Sequence, residues 1–141
     1  MNIEPSQFSD AIKDILGEAS RELKNRIKVE GETVAKECTK TLRQTSPVRA
    51  PESGERKGKK GSYRPGAYAR SWMYIQNFNE ITGNSDYTVY NDHHYRLTHL
   101  LENGHVNRDG TRSRKFVHIA PANNKACREY ERRVEDAIRE M

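Results

Sequence analysis

Long apolar runs are missing from this 141-residue chain; the longest extend over only a few residues, so no segment reads as a membrane-spanning helix. Cysteine is scarce. Cys38 and Cys127 stand far apart and fit no metal or redox motif, so they read as two buried thiols of a cytosolic product. The opening "MNIEPSQFSD" lacks a basic stretch followed by an apolar one and does not read as a secretory signal. Hydrophobic residues in general are few, at 33% against 32% charged, and the mean hydropathy is −1.04. A chain of this length suits one domain, here read as spanning residues 1–141, with a small core. Domains so poor in apolar surface commonly gain stability by association.

Positive charge is present, and it is unevenly placed. Residues 49–70 hold Arg49, Arg56, Lys57, Lys59, Lys60, Arg64 and Arg70 against Glu52 and Glu55, a local +5. Residues 108–115 hold Arg108, Arg112, Arg114 and Lys115 against Asp109, a local +3. With a net charge of +5 overall, the remainder sums to −3. The chain is a mildly acidic body with two basic loops.

From Ser6 to about Leu42 apolar residues recur at helical spacing: Phe8, Ile12, Ile15, Ala19, Leu23, Ile27, Val34, Cys38 and Leu42. The helix should stop at "TSP", because Pro47 pushes the residue before it out of helical geometry. Gly31 falls on the apolar stripe, where it implies either a bend or the close approach of another backbone; a mostly continuous helix is expected. Residues 49–66 are rich in glycine, serine and charge without periodicity, and read as a flexible basic loop.

Two β-like segments follow, near 68–78 and 84–91, joined by "NEITGNSD", whose shortness demands antiparallel pairing. The first half of "AYARSWMYIQNF" could equally form a helical turn. Asp92 is a good N-cap for a short helix over 93–103, with Leu97, Leu100 and Leu101 on one face and Asn103-Gly104 as its stop. A turn centred on Asp109-Gly110 leads to "FVHIAP", read as a third strand near 115–120. Pro121 is expected to open a last helix at its first position, with Cys127, Tyr130, Val134, Ile138 and Met141 as its apolar stripe. Glu129–Arg133 and Glu135–Arg139 stand at i, i+4 in the favourable order.

Chemistry is thinly represented. Of the five histidines, His94 and His99 are five apart and His93 and His94 adjacent, so no pair has the i, i+4 spacing of a zinc helix. His105 follows a helix C-terminus, where a cation is mildly favoured. Glu102 stands alone as a candidate acid, and no nucleophile has a base beside it. No catalytic residue, metal or cofactor is expected. The basic loops could hold a nucleic-acid backbone, but no recognition helix, zinc finger or aromatic RNA motif accompanies them.

The stretch "YRLTHLLENGHVNRDGTRSRKFVHIAPANNKA" resembles a family of siphophage tail-completion proteins, the head–tail joining or neck proteins of phages and prophages. The resemblance rests on Leu97 to His105, on the glycine- and arginine-bearing turn from Arg108 to Arg114, and on His118 to Ala122 with Pro121. The upstream "SPVRAPESG…RPGAYARSW" resembles the family's entry through proline, loop and glycine into a strand. The sequence departs from the family pattern at Asn103, where an aromatic is common, and in its basic 55–64 loop.

The resemblance implies a structural virion protein, made in the bacterial host, that joins tail to head as a homo-oligomeric ring. Its implied partners are the head connector or stopper and the tail terminator, and it implies no enzymatic activity. The basic residues Arg56, Lys57, Lys59, Lys60, Arg64, Arg108, Arg112, Arg114 and Lys115 are candidates for contacting these proteins or channel DNA. Leu97, Leu100, Leu101, Gly104, His105, His118 and Pro121 are candidates for the scaffold. The runner-up is an intracellular nucleic-acid-binding protein, with a small ribonuclease behind it. The expected fold is α+β: long N-terminal and C-terminal helices packed on a small antiparallel sheet.

Overall fold

The computed structural model describes residues 5–48 and 66–140, with side chains from Asp10 onward except that of Ala11. The expected loop of 49–66, apart from Gly66, lies outside the described residues. The elements run α1 (Pro5–Thr45), α2 (Ala67–Arg70), β1 (Trp72–Phe78), β2 (Ser85–Asn91), α3 (Tyr95–Asn103) and α4 (Ile119–Arg139). The fold is α+β, as expected, with α1 lying against a small antiparallel sheet; α4, expected on the sheet as well, packs instead on α1.

α1 is continuous over 41 residues, about 60 Å at 1.5 Å per residue. Gly31 neither breaks nor bends it out of helix; the close approach there comes from a side chain, not a backbone. A Cβ on Gly31 would sit 3.0 Å from the Tyr87 ring and 3.6 Å from that of Tyr130. The Tyr87 hydroxyl also donates to the carbonyl of Lys28 at 3.0 Å, so β2 is seated on α1 at this notch.

β1 and β2 pair antiparallel from Trp72↔Asn91 to Phe78↔Ser85. Among the described residues the sheet has two strands, and the third expected near 115–120 does not form. Phe116 instead donates its backbone N–H to the carbonyl of Leu101 at 2.8 Å, and Ile119 and Ala120 already belong to α4. The first strand is also shorter than expected, because Gly66 adopts a left-handed conformation (φ 80°) and launches the single turn of α2.

The core lies at the C-terminal end of α1. Leu42, Tyr68, Trp72 and Ala122 are buried together, with Cys38, Val89, Leu97, Leu101 and Ile119 packed around them. Polar groups within it are matched. The Trp72 indole N–H donates to the Ser46 hydroxyl at 2.8 Å, and Arg43 donates twice to the carbonyl of Trp72, at 3.0 and 2.7 Å. Asn91 donates to the carbonyl of Tyr68 at 2.9 Å while its side-chain oxygen accepts from the N–H of His94 at 2.8 Å. That second bond places the start of α3 at Tyr95, with Asn91 rather than Asp92 serving its first turn.

α4 packs antiparallel on α1 through its small side chains. Ala122 and Ala137 are buried, whereas Cys127, Tyr130 and Ile138 of the expected stripe are exposed, Val134 is half-buried, and Met141 lies outside the described residues. Alanines let the two backbones approach closely, which displaces the larger apolar side chains to the flank of the contact. Arg133 crosses the interface to Glu30 at 2.8 Å and Glu37 at 3.4 Å, and it also takes the expected i, i+4 partner Glu129 at 3.0 Å. Near the end of α4, Arg26 donates to the carbonyl of Ala137 at 3.4 Å and pairs with Glu140.

Candidate functional site

Two of the stretches singled out in the sequence, Leu97–His105 and His118–Ala122, meet in one polar knot where α3 hands the chain to α4. Glu102, in the last turn of α3, accepts hydrogen bonds from three successive backbone N–H groups: His118 at 2.9 Å, Ile119 at 3.0 Å and Ala120 at 2.9 Å. A helix begins with four N–H groups that have no intrahelical partner, and the positive end of its dipole favours a carboxylate there. Glu102 satisfies three such groups. Pro121, which has no N–H, is therefore the third residue of α4 rather than the first.

His118 is buried between these elements. Its Nδ1 lies 2.6 Å from the carbonyl of Phe116 and 3.1 Å from the Glu102 carboxylate, while Nε2 lies 2.8 Å from the Tyr68 hydroxyl. Both ring nitrogens thus have a partner: Nδ1–H donates to the carbonyl, and Nε2 shares a hydrogen bond with the Tyr68 hydroxyl. The His118 ring also stands edge-on to Tyr68 and Trp72, with centroids 5.6 and 6.3 Å away. Burial alone would raise the Glu102 carboxyl, but the N–H groups of Ile119, Ala120 and His118, with the His118 ring beside them, hold it below its ordinary range.

Chemically, this knot holds elements together. Tyr68 is fully buried and His118 nearly so, leaving no space at the imidazole for a substrate. Leu97 and Leu101 anchor α3 to the core from the other side, with Leu100 half-buried beside them. Gly104 ends α3 with φ 72°, and a Cβ there would meet the carbonyl oxygen of Ser113 at 2.8 Å. Glu102 is the residue that sequence reasoning missed. Its visible signal was a helix start at "HIAPA" with no side-chain cap of its own, but the acceptor lies 16 residues earlier in the chain.

Beyond Gly104 the basic stretch forms a hairpin. Val106 and Arg112 face each other as an antiparallel bridge, closed by backbone bonds from Asn107 to Thr111 (2.7 Å) and from Ser113 to His105 (2.8 Å). Side chains brace it further. Asp109 accepts from the hydroxyl and N–H of Thr111, which lowers its pKa, and the Ser113 hydroxyl lies 2.9 Å from His105 Nδ1. Arg108, Arg112, Arg114 and Lys115 are all exposed, and none forms an ion pair among the described residues. Arg114 lies over the Phe116 ring at 5.5 Å.

The structure thus joins Leu97, Leu101, Gly104, His105 and His118 into one scaffold continuous with the four cations of the hairpin. Arg56, Lys57, Lys59, Lys60 and Arg64 lie outside the described residues. The thiols differ from expectation: Cys38 is half-buried and Cys127 exposed. Both line an apolar groove of about 490 Å³ between α1, β2 and α4, with Val34, Val89 and Tyr130. Among the described residues no group of three or more His, Cys, Asp or Glu could hold a metal ion, and no helix is long and apolar enough to cross a membrane. Compared with known proteins, the chain matches no family model, no curated protein and no solved structure.

Proposed function

We propose that this chain is a structural subunit of a phage neck, which completes the tail and joins it to the DNA-filled head as a ring of copies. The observation that carries this reading is the exposed apolar stripe of α1. Among the described residues, the bonds from α4 that lie furthest toward the N-terminus of α1 fall at Arg26, about midway along the helix. Residues 12–18 are exposed throughout, with Ile12 at 40%, Ile15 at 66% and Leu16 at 63%. An isolated polar domain gains nothing from exposing a helical apolar stripe of Ile12, Ile15 and Leu16. A subunit whose neighbours cover that stripe does.

Two further features support it. Leu97, Leu101 and His118, among the residues that carry the resemblance, are consumed in holding α3, α4 and the core together, as a scaffold requires and a catalyst does not. Among the described residues the buried core cluster is small, which suits a protein stabilised by its assembly. Its partners in this reading are the head connector or stopper on one side and the tail terminator on the other, and it acts in the virion after synthesis in the host.

A joining subunit contributes interface area and no chemical step. Deleting its gene should therefore leave DNA packaging and tail polymerisation intact while heads and tails stay separate. Electron microscopy of the lysate reads this directly, with joining restored by the wild-type gene in trans. Normal infectious particles from the deletion strain would overturn the proposal.

A further inference from the structure

We infer that the 105–115 hairpin is a phosphate-contacting arm for duplex DNA, an interaction that goes beyond the neck reading and does not depend on it. From Asn107 to Lys115 the arm contains Asn, Arg, Asp, Gly, Thr, Arg, Ser, Arg and Lys, with no apolar side chain at all. A protein-docking surface is centred on clustered aromatic or aliphatic anchors that fill pockets, and the arm offers a single aliphatic side chain, Val106 at its base, against four cations. The side chains that contact DNA phosphates are arginine, lysine, serine, threonine and asparagine, together with backbone N–H groups. That is the composition of the arm.

The geometry presents these cations outward. Ser113 turns in to His105, so Arg112 and Arg114 on either side of it share the opposite side of an extended arm. Arg108 stands at the turn beside Asp109, which stays ionised with its Oδ1 turned to Thr111 and forms no ion pair with Arg108 among the described residues; the four cations against this one carboxylate leave the arm a net +3. Because the turn is fixed by its own hydrogen bonds, little ordering remains to be done when it meets a polyanion. Single-stranded nucleic acid is a poorer fit, since it needs open aromatic faces for its bases; the arm carries no Phe, Tyr or Trp, and Phe116, which follows it, has the Arg114 guanidinium over its ring. No element of the arm is built to read base edges, so binding should be indifferent to sequence.

The test is fluorescence anisotropy of the full chain with a labelled duplex of arbitrary sequence, titrated across a salt series. Each phosphate neutralised contributes roughly 0.9 to the slope of log affinity against log salt. The triple variant Arg108→Gln, Arg112→Gln, Arg114→Gln should lower that slope by about 3 and weaken binding at low salt by at least tenfold. A control of equal charge change on the exposed face of α4, Lys125→Gln, Arg128→Gln, Arg139→Gln, should keep the wild-type slope, and all three proteins should melt alike. An unchanged slope in the hairpin variant, an equal loss in the control, or no binding of wild type at low salt would each overturn the inference. So would polyglutamate that displaces the duplex as effectively as unlabelled duplex does, because an acidic protein would then be the better partner.

Discussion

The carboxylate of Glu102 lies 3.1 Å from Nδ1 of His118, and it accepts the backbone N–H of that same residue. One side chain near the end of α3 thus fixes both the ring and the backbone at the start of α4. Through Nε2 and the Tyr68 hydroxyl the connection continues to α2 and the core.

Replacing Glu102 with alanine should therefore cost about 2 kcal/mol, the loss of a charged cap to three N–H groups, and thermal unfolding would register it as a lowered midpoint. The effect should depend on pH. The folded carboxyl is held below its ordinary value of 4.5, so its contribution is complete above that pH and fades as pH falls through the lowered folded value. Urea midpoints of wild type and variant should differ at pH 7 and converge at acid pH. A constant difference would show that the carboxylate's charge is irrelevant.

Leu101→Asp places a charge where α3 meets the buried core cluster, and should unfold or aggregate the protein. A soluble variant with the wild-type melting midpoint would mean that α3 does not rest on the core.

At Gly31 the notch for Tyr87 sets the sign of substitution. Leucine there should cost about 1–3 kcal/mol by overpacking, despite its better helix propensity. Adding Tyr87→Ala should recover part of the loss, measured as non-additivity in a double-mutant cycle. Additive effects would place the cost elsewhere.

The two thiols should be distinguishable by reagent. Cys127 is exposed, whereas burial pushes the Cys38 thiol up, with a smaller contribution from Cys127 beside it. Titration of native protein with a chromogenic disulfide at mildly alkaline pH should show one fast and one slow thiol, and Cys127→Ser should remove the fast phase. Loss of the slow phase instead would reverse the assignment.

Features fixed by local pattern were legible in the sequence. The apolar recurrence from Ile12 to Leu42 described α1, and "NEITGNSD" between two alternating segments described the hairpin. Asn103-Gly104 marked the end of α3 because only a left-handed residue fits there. What could not be read depended on distant partners. "FVHIAP" has the composition of a strand, but Leu101 and Glu102 claim its N–H groups and turn it into a bend and a helix start. The packed face of α4 was misjudged because Ala122 and Ala137 carry little hydrophobic signal, though close helix contact needs their small size. That Glu102 ties α3 to the start of α4 was not legible, because its three N–H partners lie 16 to 18 residues away.

The neck assignment is tested most directly by locating the protein in intact particles. Gold-labelled antibody against this chain, viewed by electron microscopy on purified virions, should decorate the junction between head and tail and nowhere else. Label confined to the tail tip or the capsid shell, or purified virions with no label and no peptide of this chain by mass spectrometry, would contradict it.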